Sequence, residues 1–240
     1  MSPTRPAKAV LVSDIHLPGG PSAYRDRLLA LLRDIDADAV YLLGDIFEYW
    51  LGDDVSGAEH APVLAALRRR AAGGTRIYFM AGNRDFLVSP ALLARHGVIP
   101  LPDPCVVRLP DGPALLSHGD QWCTQDHAYQ RWRRFAHRPA VRRAFLALPR
   151  PARRAIARRL RAGSAHRARA TAESILDVED RAIEHAFRCH RIDRIVHGHT
   201  HRPALHHHAC GDRIVLPDWR PDDCRYLLAS RDGLAEHRLN

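Results

Sequence analysis

The sequence lacks several things, and each shortage closes off a class of protein. Its five cysteines (Cys105, Cys123, Cys189, Cys210 and Cys224) are odd in number and scattered, with no Cys-x-x-Cys pair. That argues against a disulfide framework or a thiolate zinc ribbon and fits a reducing compartment. No apolar run approaches the ~18 residues of a membrane-spanning helix. Residues 1–6 have no signal-peptide apolar core, so secretion is not expected. There is no internal repeat and no low-complexity linker. Lysine is almost missing, Lys8 being the only one. Acidic residues are missing altogether from 127–172, a stretch that holds 14 arginines.

That last gap explains the charge. The formal net charge is +9, yet outside 127–172 the chain carries 22 basic and 27 acidic residues. The excess therefore belongs to one segment, which asks for an anionic partner such as nucleic acid, an anionic membrane surface or a phosphorylated ligand. Heavy arginine and alanine usage also reflects compositional bias. With 240 residues, 46% of them hydrophobic and 26% charged, the chain has the material for a full core.

Short apolar runs alternate with helical patterns through the first half. Ala9-Val-Leu-Val, Ala39-Val-Tyr-Leu-Leu and Ile77-Tyr-Phe-Met read as strands. Leu28, Leu31, Leu32 and Ile35, then Val63, Leu64 and Leu67, stripe the helices between them, the second ending at Gly73-Gly74. The alternation predicts parallel strands joined by right-handed crossovers. After residue 100 the pattern turns to a hairpin around Asp111-Gly112, a helix over about 174–190, a strand at 194–196 and antiparallel strands in the tail. The basic segment interrupts this frame as a helical insertion. Its Trp132, Phe135, Val141, Phe145 and Leu148 suggest a buried face.

The informative residues stand directly after the apolar runs. The first run ends in Ser13-Asp14-Ile15-His16, the second in Gly44-Asp45, and the third in Gly82-Asn83-Arg84-Asp85. The hairpin ends in Ser117-His118-Gly119-Asp120, and the 194–196 run in His197-Gly198-His199-Thr200-His201. Ligands collect beyond the carboxyl ends of strands in open α/β sheets, so these five should converge on one crevice. Asp-x-His and His-x-His place alternate side chains of an extended segment on one side. Histidine, aspartate and asparagine without cysteine suit Mn²⁺, Fe²⁺ or Zn²⁺. Seven ligands exceed the needs of one ion, whereas two ions about 3.5–4 Å apart use them well. Asp14, His16 and His201 are assigned to one ion and Asn83, His118 and His199 to the other, with Asp45 shared. A lone Asp-x-His or Gly-Asp is a common accident; the ordered set is not. His197 reads as a strand-end residue, and His206, His207 and His208 as a solvated edge.

In this order the motifs resemble the calcineurin-like metallophosphoesterases. Longer strings narrow the resemblance: Gly44-Asp-Ile-Phe-Glu-Tyr-Trp-Leu-Gly-Asp-Asp54, Gly82-Asn-Arg-Asp-Phe-Leu87, Ser117-His-Gly-Asp-Gln-Trp-Cys-Thr124 and His197-Gly-His-Thr-His-Arg-Pro203. These are similar to the UDP-2,3-diacylglucosamine diphosphatases, from about residue 8 to Trp219. The resemblance implies a four-layer α/β fold, with two mixed sheets packed together and flanked by helices and a helical insertion over the active site. It implies one domain over 1–240, with the insertion at about 124–172. It further implies two Mn²⁺ ions per chain and hydrolysis of a UDP-linked diacylated glucosamine to UMP and a diacylglucosamine 1-phosphate. The setting implied is cytoplasmic, at the anionic cytoplasmic face of the inner membrane, with no nucleic acid and no obligate protein partner.

Asn83, Arg84 and His118 are the expected catalytic residues. Arg84 offers a forked guanidinium to phosphate, or else a solvent salt bridge to Asp85. Asp120 either orients a ligand imidazole or stabilises a turn. The implied substrate contacts are Asn83, Arg84, Asp126, Tyr129, Ser164, Ala168, Thr171 and His199. Ala168 and Thr171 depart from the amide and lysine that many relatives carry, with Arg167 or Arg169 as candidate replacements. Ala81 stands where relatives carry histidine, and Pro217 where they carry glycine. Arginines such as Arg153 and Arg154 are expected to meet anionic lipid. The competing readings are another two-metal hydrolase (nuclease, dinucleoside polyphosphatase or protein phosphatase) and a non-enzymatic membrane-binding module. A nuclease would place stacking aromatics beside its arginines, and a protein phosphatase would carry Asp-Arg-Gly where this chain has Phe47-Glu-Tyr.

Overall fold

A computed structural model describes residues 6–170, 175 and 177–239, of which 164–170 by their backbone. Among these residues β1 (Ala9–Val12), β2 (Ala39–Leu43), β3 (Arg76–Met80) and β4 (Val98–Leu101) run parallel. β10 (Arg225–Ser230) and β11 (Gly233–Arg238) join antiparallel beyond β1, giving the order β11-β10-β1-β2-β3-β4. The second sheet is built from β5 (Cys105–Leu109), β6 (Gly112–Ser117), β7 (Arg194–His197), β8 (Ala204–His208) and β9 (Gly211–Val215). Its order is β5-β6-β7-β9-β8. Both sheets are mixed.

Side-chain alternation explains why two sheets pack. In β1 and β2, Ala9, Leu11, Ala39, Tyr41 and Leu43 point to one face and meet Leu109, Ala114, Leu116 and Val196 of the other sheet. The intervening Val10, Val12, Val40 and Leu42 point the other way, onto Leu28, Leu31 and Leu32 of α1 (Ala23–Asp34) and Val63, Leu64 and Leu67 of α3 (Ala61–Ala72). A strand buried on both faces reads as a continuous apolar run, which is how these runs look in the sequence. Leu115 and Ile195 on the outer face of the second sheet pack on Ile183 and Phe187 of α8 (Asp180–His190). The result is helix, sheet, sheet, helix.

Four elements differ from the sequence reading. β4 was not foreseen, because it is four residues long and contains Pro100; it is an edge strand, where proline is tolerated. α8 starts at Asp180, not near 174. Asp177 pairs with Arg202 at 2.8 Å and Glu179 accepts from the Thr124 hydroxyl, so these residues serve the loop before the helix. The helices α2 (Ser56–Glu59) and α4 (Pro90–Arg95) are too short to show a periodic stripe.

The basic segment folds as α5 (His127–Ala136), α6 (Pro139–Ala147) and α7 (Arg150–Ala170). Two expectations about it are corrected. Arg153 does not face lipid: it is 3% exposed, and its Nη1 and Nη2 donate to Asp54 at 2.8 and 2.6 Å and to the Leu51 carbonyl. Among the described side chains, five of the segment's arginines (133, 150, 153, 154 and 161) pair with the core carboxylates Asp120, Asp54, Glu59 and Glu48. Nor do the aromatics form one buried face. Phe145 packs on the helix-side core, but Trp132 is 43% and Phe135 47% exposed, their rings 5.9 Å apart. Their spacing therefore does not argue against nucleic acid.

Candidate metal centre

The loops after β1, β2, β3, β6 and β7 lie side by side. The Asp14 amide donates to the Gly44 carbonyl at 3.1 Å, the His16 amide to the Asp45 carbonyl at 3.0 Å, and the Gly198 amide to the His118 carbonyl at 3.0 Å. Adjacent parallel strands thus deliver their terminal residues to one place. Among the described residues the six at positive φ other than glycine are Asp14, His16, Asp45, His199, His201 and Arg191. Arg191 closes α8; the other five are all expected metal ligands. Left-handed backbone at a non-glycine residue costs of order 1 kcal/mol or more and persists where the surroundings over-determine it, as at functional sites.

Two groups of ligand atoms result. Asp14, His16 and His201 form one and Asp45, His118 and His199 the other, with all ligand atoms of a group within 4.8 Å of one another. In the first, the Nε2 atoms of His16 and His201 face each other at 3.3 Å, and Asp14 Oδ1 lies 3.3 Å from His201 Nε2. That carboxylate oxygen is buried without a hydrogen bond, while Oδ2 accepts the His199 amide at 2.8 Å. Two imidazole lone pairs and an orphaned carboxylate oxygen aimed at one point are a donor set that fits a divalent cation. In the second group His118 is fully buried, its Nδ1 3.1 Å from the Leu43 carbonyl. Its Nε2 lies 2.9 Å from Asn83 Oδ1 and 3.6 Å from Asp45 Oδ1. The structure groups His16 with His201 and His118 with His199.

The site's glycines are there for room. A Cβ on Gly82 would lie within 3.0 Å of the Asp45 amide and carboxylate, and one on Gly198 would strike the Asp14 carboxylate and Ser13. Gly82→Ala is therefore expected to displace Asp45, with at least a tenfold loss of Mn²⁺ affinity at the second group, read by isothermal titration. Wild-type affinity in that variant would contradict this packing.

Electrostatics separate the imidazoles. Burial pushes His16 down to about 3 and His199 to about 4, so both are neutral. Burial also opposes charge on His118, but Asp45, Asp14, Asp120 and Asp103 outweigh it and push it up to about 9. Burial pushes Asp45 up to about 7. Asp14 is held below the usual carboxylate range: burial opposes this, but the imidazoles of His201, His118 and His16 around it prevail. An ion at the second group must displace the His118 proton. Apparent metal affinity there should rise about a hundredfold per pH unit below about pH 7, where the Asp45 proton must leave too, about tenfold per unit from there to about pH 9, and level off above it. In the metal-free protein the sign is opposite. The raised His118 value contributes stability below its unfolded value of about 6.5 that is lost as pH rises through about 9. Titrations at pH 6, 7 and 8 check both, and a flat affinity would refute the assignment.

Arg84 is beside the second group. Its amide donates to Asp45 Oδ1 at 2.9 Å and its Nη1 to Glu48 Oε1 at 2.8 Å. The bridge to Asp85 does not form, because buried Asp85 accepts the amides of Gly82 (2.7 Å), Ile46 (2.9 Å) and Phe47 (3.3 Å) and ties two loops together. Asp120 makes neither of its expected contacts. It accepts from the Tyr129 hydroxyl and from Arg133 Nε at 2.7 Å, fastening α5 to the site. Tyr129 stacks 6.0 Å from His199, and Asp126 caps α5 by accepting the Tyr129 amide at 2.9 Å. The backbone places Ser164 and Ala168 on α7, and Thr171 lies outside the described residues.

His197, His206, His207 and His208 stay out of both groups, as expected. Two residues escaped sequence reasoning. Glu48 gathers Arg84 and Arg161, its Oε2 3.8 Å from His16 Nδ1. Asp218 Oδ2 lies 3.7 Å from His201 Nδ1. Glu48 sits inside the Gly44 to Asp54 string and Asp218 directly follows Pro217, and a carboxylate in a noted stretch was the available signal.

The calcineurin-like phosphoesterase family model matches residues 7–203. The UDP-2,3-diacylglucosamine hydrolase of Nitrosococcus oceani is 44% identical over 214 residues, 87% of this chain and 86% of that protein. The chain belongs to this family. A second member, from Chromohalobacter salexigens, is 44% identical over 218 residues, 88% of this chain and 89% of that protein. A third, from Xanthomonas campestris pv. campestris, is 40% identical over 243 residues, 96% of this chain and 98% of that protein. The family assignment accounts for the four layers and for the strand-end position of every ligand motif. It also accounts for a divalent-metal donor set of histidine, aspartate and asparagine.

Proposed function

We propose that the chain hydrolyses the diphosphate of UDP-2,3-diacylglucosamine, adding water across one P–O–P bond to give UMP and 2,3-diacylglucosamine 1-phosphate. The observation that carries this reading is the pair of donor groups beneath a docked basic cap, in a chain 40–44% identical to hydrolases of that name. Asp14, His16 and His201 would hold one ion and Asn83, His118 and His199 the other, with Asp45 shared; Mn²⁺ suits this set. Bound ions would supply a Lewis acid for the phosphate oxygens and a water of lowered pKa.

The chain's own residues do the rest. Leu43 fixes the His118 ring through Nδ1 and leaves Nε2 to the site. Arg84 presents its guanidinium to a phosphate oxygen as its bond to Glu48 is exchanged. Tyr129 and Asp126 form the wall beneath α5. Trp132, Phe135, Leu146, Leu148 and Leu160 are exposed on the insertion and offer apolar surface to the acyl chains. Arginines of the insertion not bound to core carboxylates face the anionic cytoplasmic surface of the inner membrane. No described helix is long and apolar enough to cross a membrane. The whole chain acts as one domain, with 124–172 inserted in it.

The test incubates the purified chain with UDP-2,3-diacylglucosamine, single-stranded DNA and a dinucleoside tetraphosphate, with and without Mn²⁺. UMP release from the first alone, and only with metal, is expected. Faster cleavage of DNA or of the tetraphosphate would replace this reading by the corresponding phosphoesterase.

A further inference from the structure

His197 and Arg213 are both buried and neither belongs to a ligand group. His197 ends β7 fully enclosed; Arg213, on the neighbouring β9, is 5% exposed. Among the described residues no carboxylate forms an ion pair with Arg213, an expensive state for a buried charge. Its Nη1 lies 3.2 Å from His197 Nε2, and its Nε lies 3.4 Å from His208 Nε2. A guanidinium only donates, so His197 Nε2 must accept and be bare. The ring proton then sits on Nδ1, 2.9 Å from the Gly198 carbonyl, to which it donates. That carbonyl also accepts the Thr200 amide at 2.9 Å. From this doubly held peptide His199 and His201 leave in left-handed conformation, φ 70° and 54°, toward different ligand groups. Trp122 meets the His197 ring edge-on at 5.7 Å and removes its freedom to tilt.

We propose that Arg213 is a positioning residue for the two-histidine loop. It holds His197 in the Nδ1–H tautomer, and His197 pins the Gly198 carbonyl from which His199 and His201 diverge. The proposal rests on the metal-site reading above and adds to it the residues that set the loop.

The experiment uses the full chain. Long-range ¹H–¹⁵N correlation on metal-free protein reports the His197 tautomer, and Mn²⁺ titration calorimetry reports affinity. Wild type should show Nδ1–H. Arg213→Met keeps the stem and removes the donors. It should admit the Nε2–H tautomer and weaken Mn²⁺ binding about ten- to a hundredfold, with the metal-free melting temperature little changed. Arg213→Lys returns a donor and should restore both readings, which a merely space-filling role would not require. Wild-type His197 in the Nε2–H form overturns the proposal whether or not any variant folds. So does Arg213→Met with unchanged tautomer and unchanged affinity. A wild-type chain that takes up no Mn²⁺ refutes the metal reading, while the tautomer still decides this one.

Discussion

Asp45→Ala is expected to cost about 10³-fold or more in turnover, because on the proposed assignment its carboxylate would support both ions and each factor of ten corresponds to about 1.4 kcal/mol of barrier. The side chain is buried, held by the Arg84 amide at 2.9 Å and set 3.6 Å from His118. Its removal also takes from buried His118 its largest counter-charge, so the metal-free variant should melt somewhat lower than wild type. What it should lose is the rise in melting temperature on adding Mn²⁺. Thermal scans with and without metal, beside hydrolysis of bis-p-nitrophenyl phosphate, separate the two effects. Near-normal turnover with two ions bound would remove Asp45 from the centre.

The second large effect is on stability. Asp54→Ala leaves the Arg153 guanidinium, 4% exposed, with the Leu51 carbonyl alone. Breaking a fully buried pair costs about 3–5 kcal/mol. Asp54 itself is 43% exposed, which lowers the expected cost to about 2 kcal/mol, or about 4–8 °C in melting temperature for a chain of this size. Arg154→Ala, which breaks the more exposed pair to Glu59, should cost under about 1 kcal/mol. Melting curves of the two variants check the contrast. Equal shifts would mean that Arg153 does not anchor the insertion. The Phe47 to Asp54 string thus has a structural side: Gly52, at φ 107°, leaves space that the Arg153 guanidinium fills.

The ligands were legible because parallel strands end where their apolar runs end, and the residues after each run must lie at the same edge of the sheets. Asp14, Asp45, Asn83, His118, His199 and His201 were picked out that way as candidates, and the structure brings their side chains together in two groups. The inner and outer faces of β1 and β2 were not legible, because a strand buried on both sides shows no alternation. The partners of Arg153 and Asp120 were equally hidden. Arg153 meets Asp54 across 99 residues of sequence, and no local pattern distinguishes it from Arg154 beside it. Left-handed backbone at Asp14, His16, Asp45, His199 and His201 has no sequence signature in residues other than glycine, yet it singles out the site once the fold is known.

Anomalous diffraction from crystals of the chain grown with Mn²⁺ is the sharpest test of a two-ion centre. Two peaks per chain are expected, about 3.5–4 Å apart as in two-metal sites. One should be bounded by Asp14, His16 and His201, the other by Asn83, His118 and His199, with Asp45 between them. A single peak would contradict the two-ion centre, whereas both His199 and His201 on one of two ions would contradict the division of ligands and leave the two ions standing.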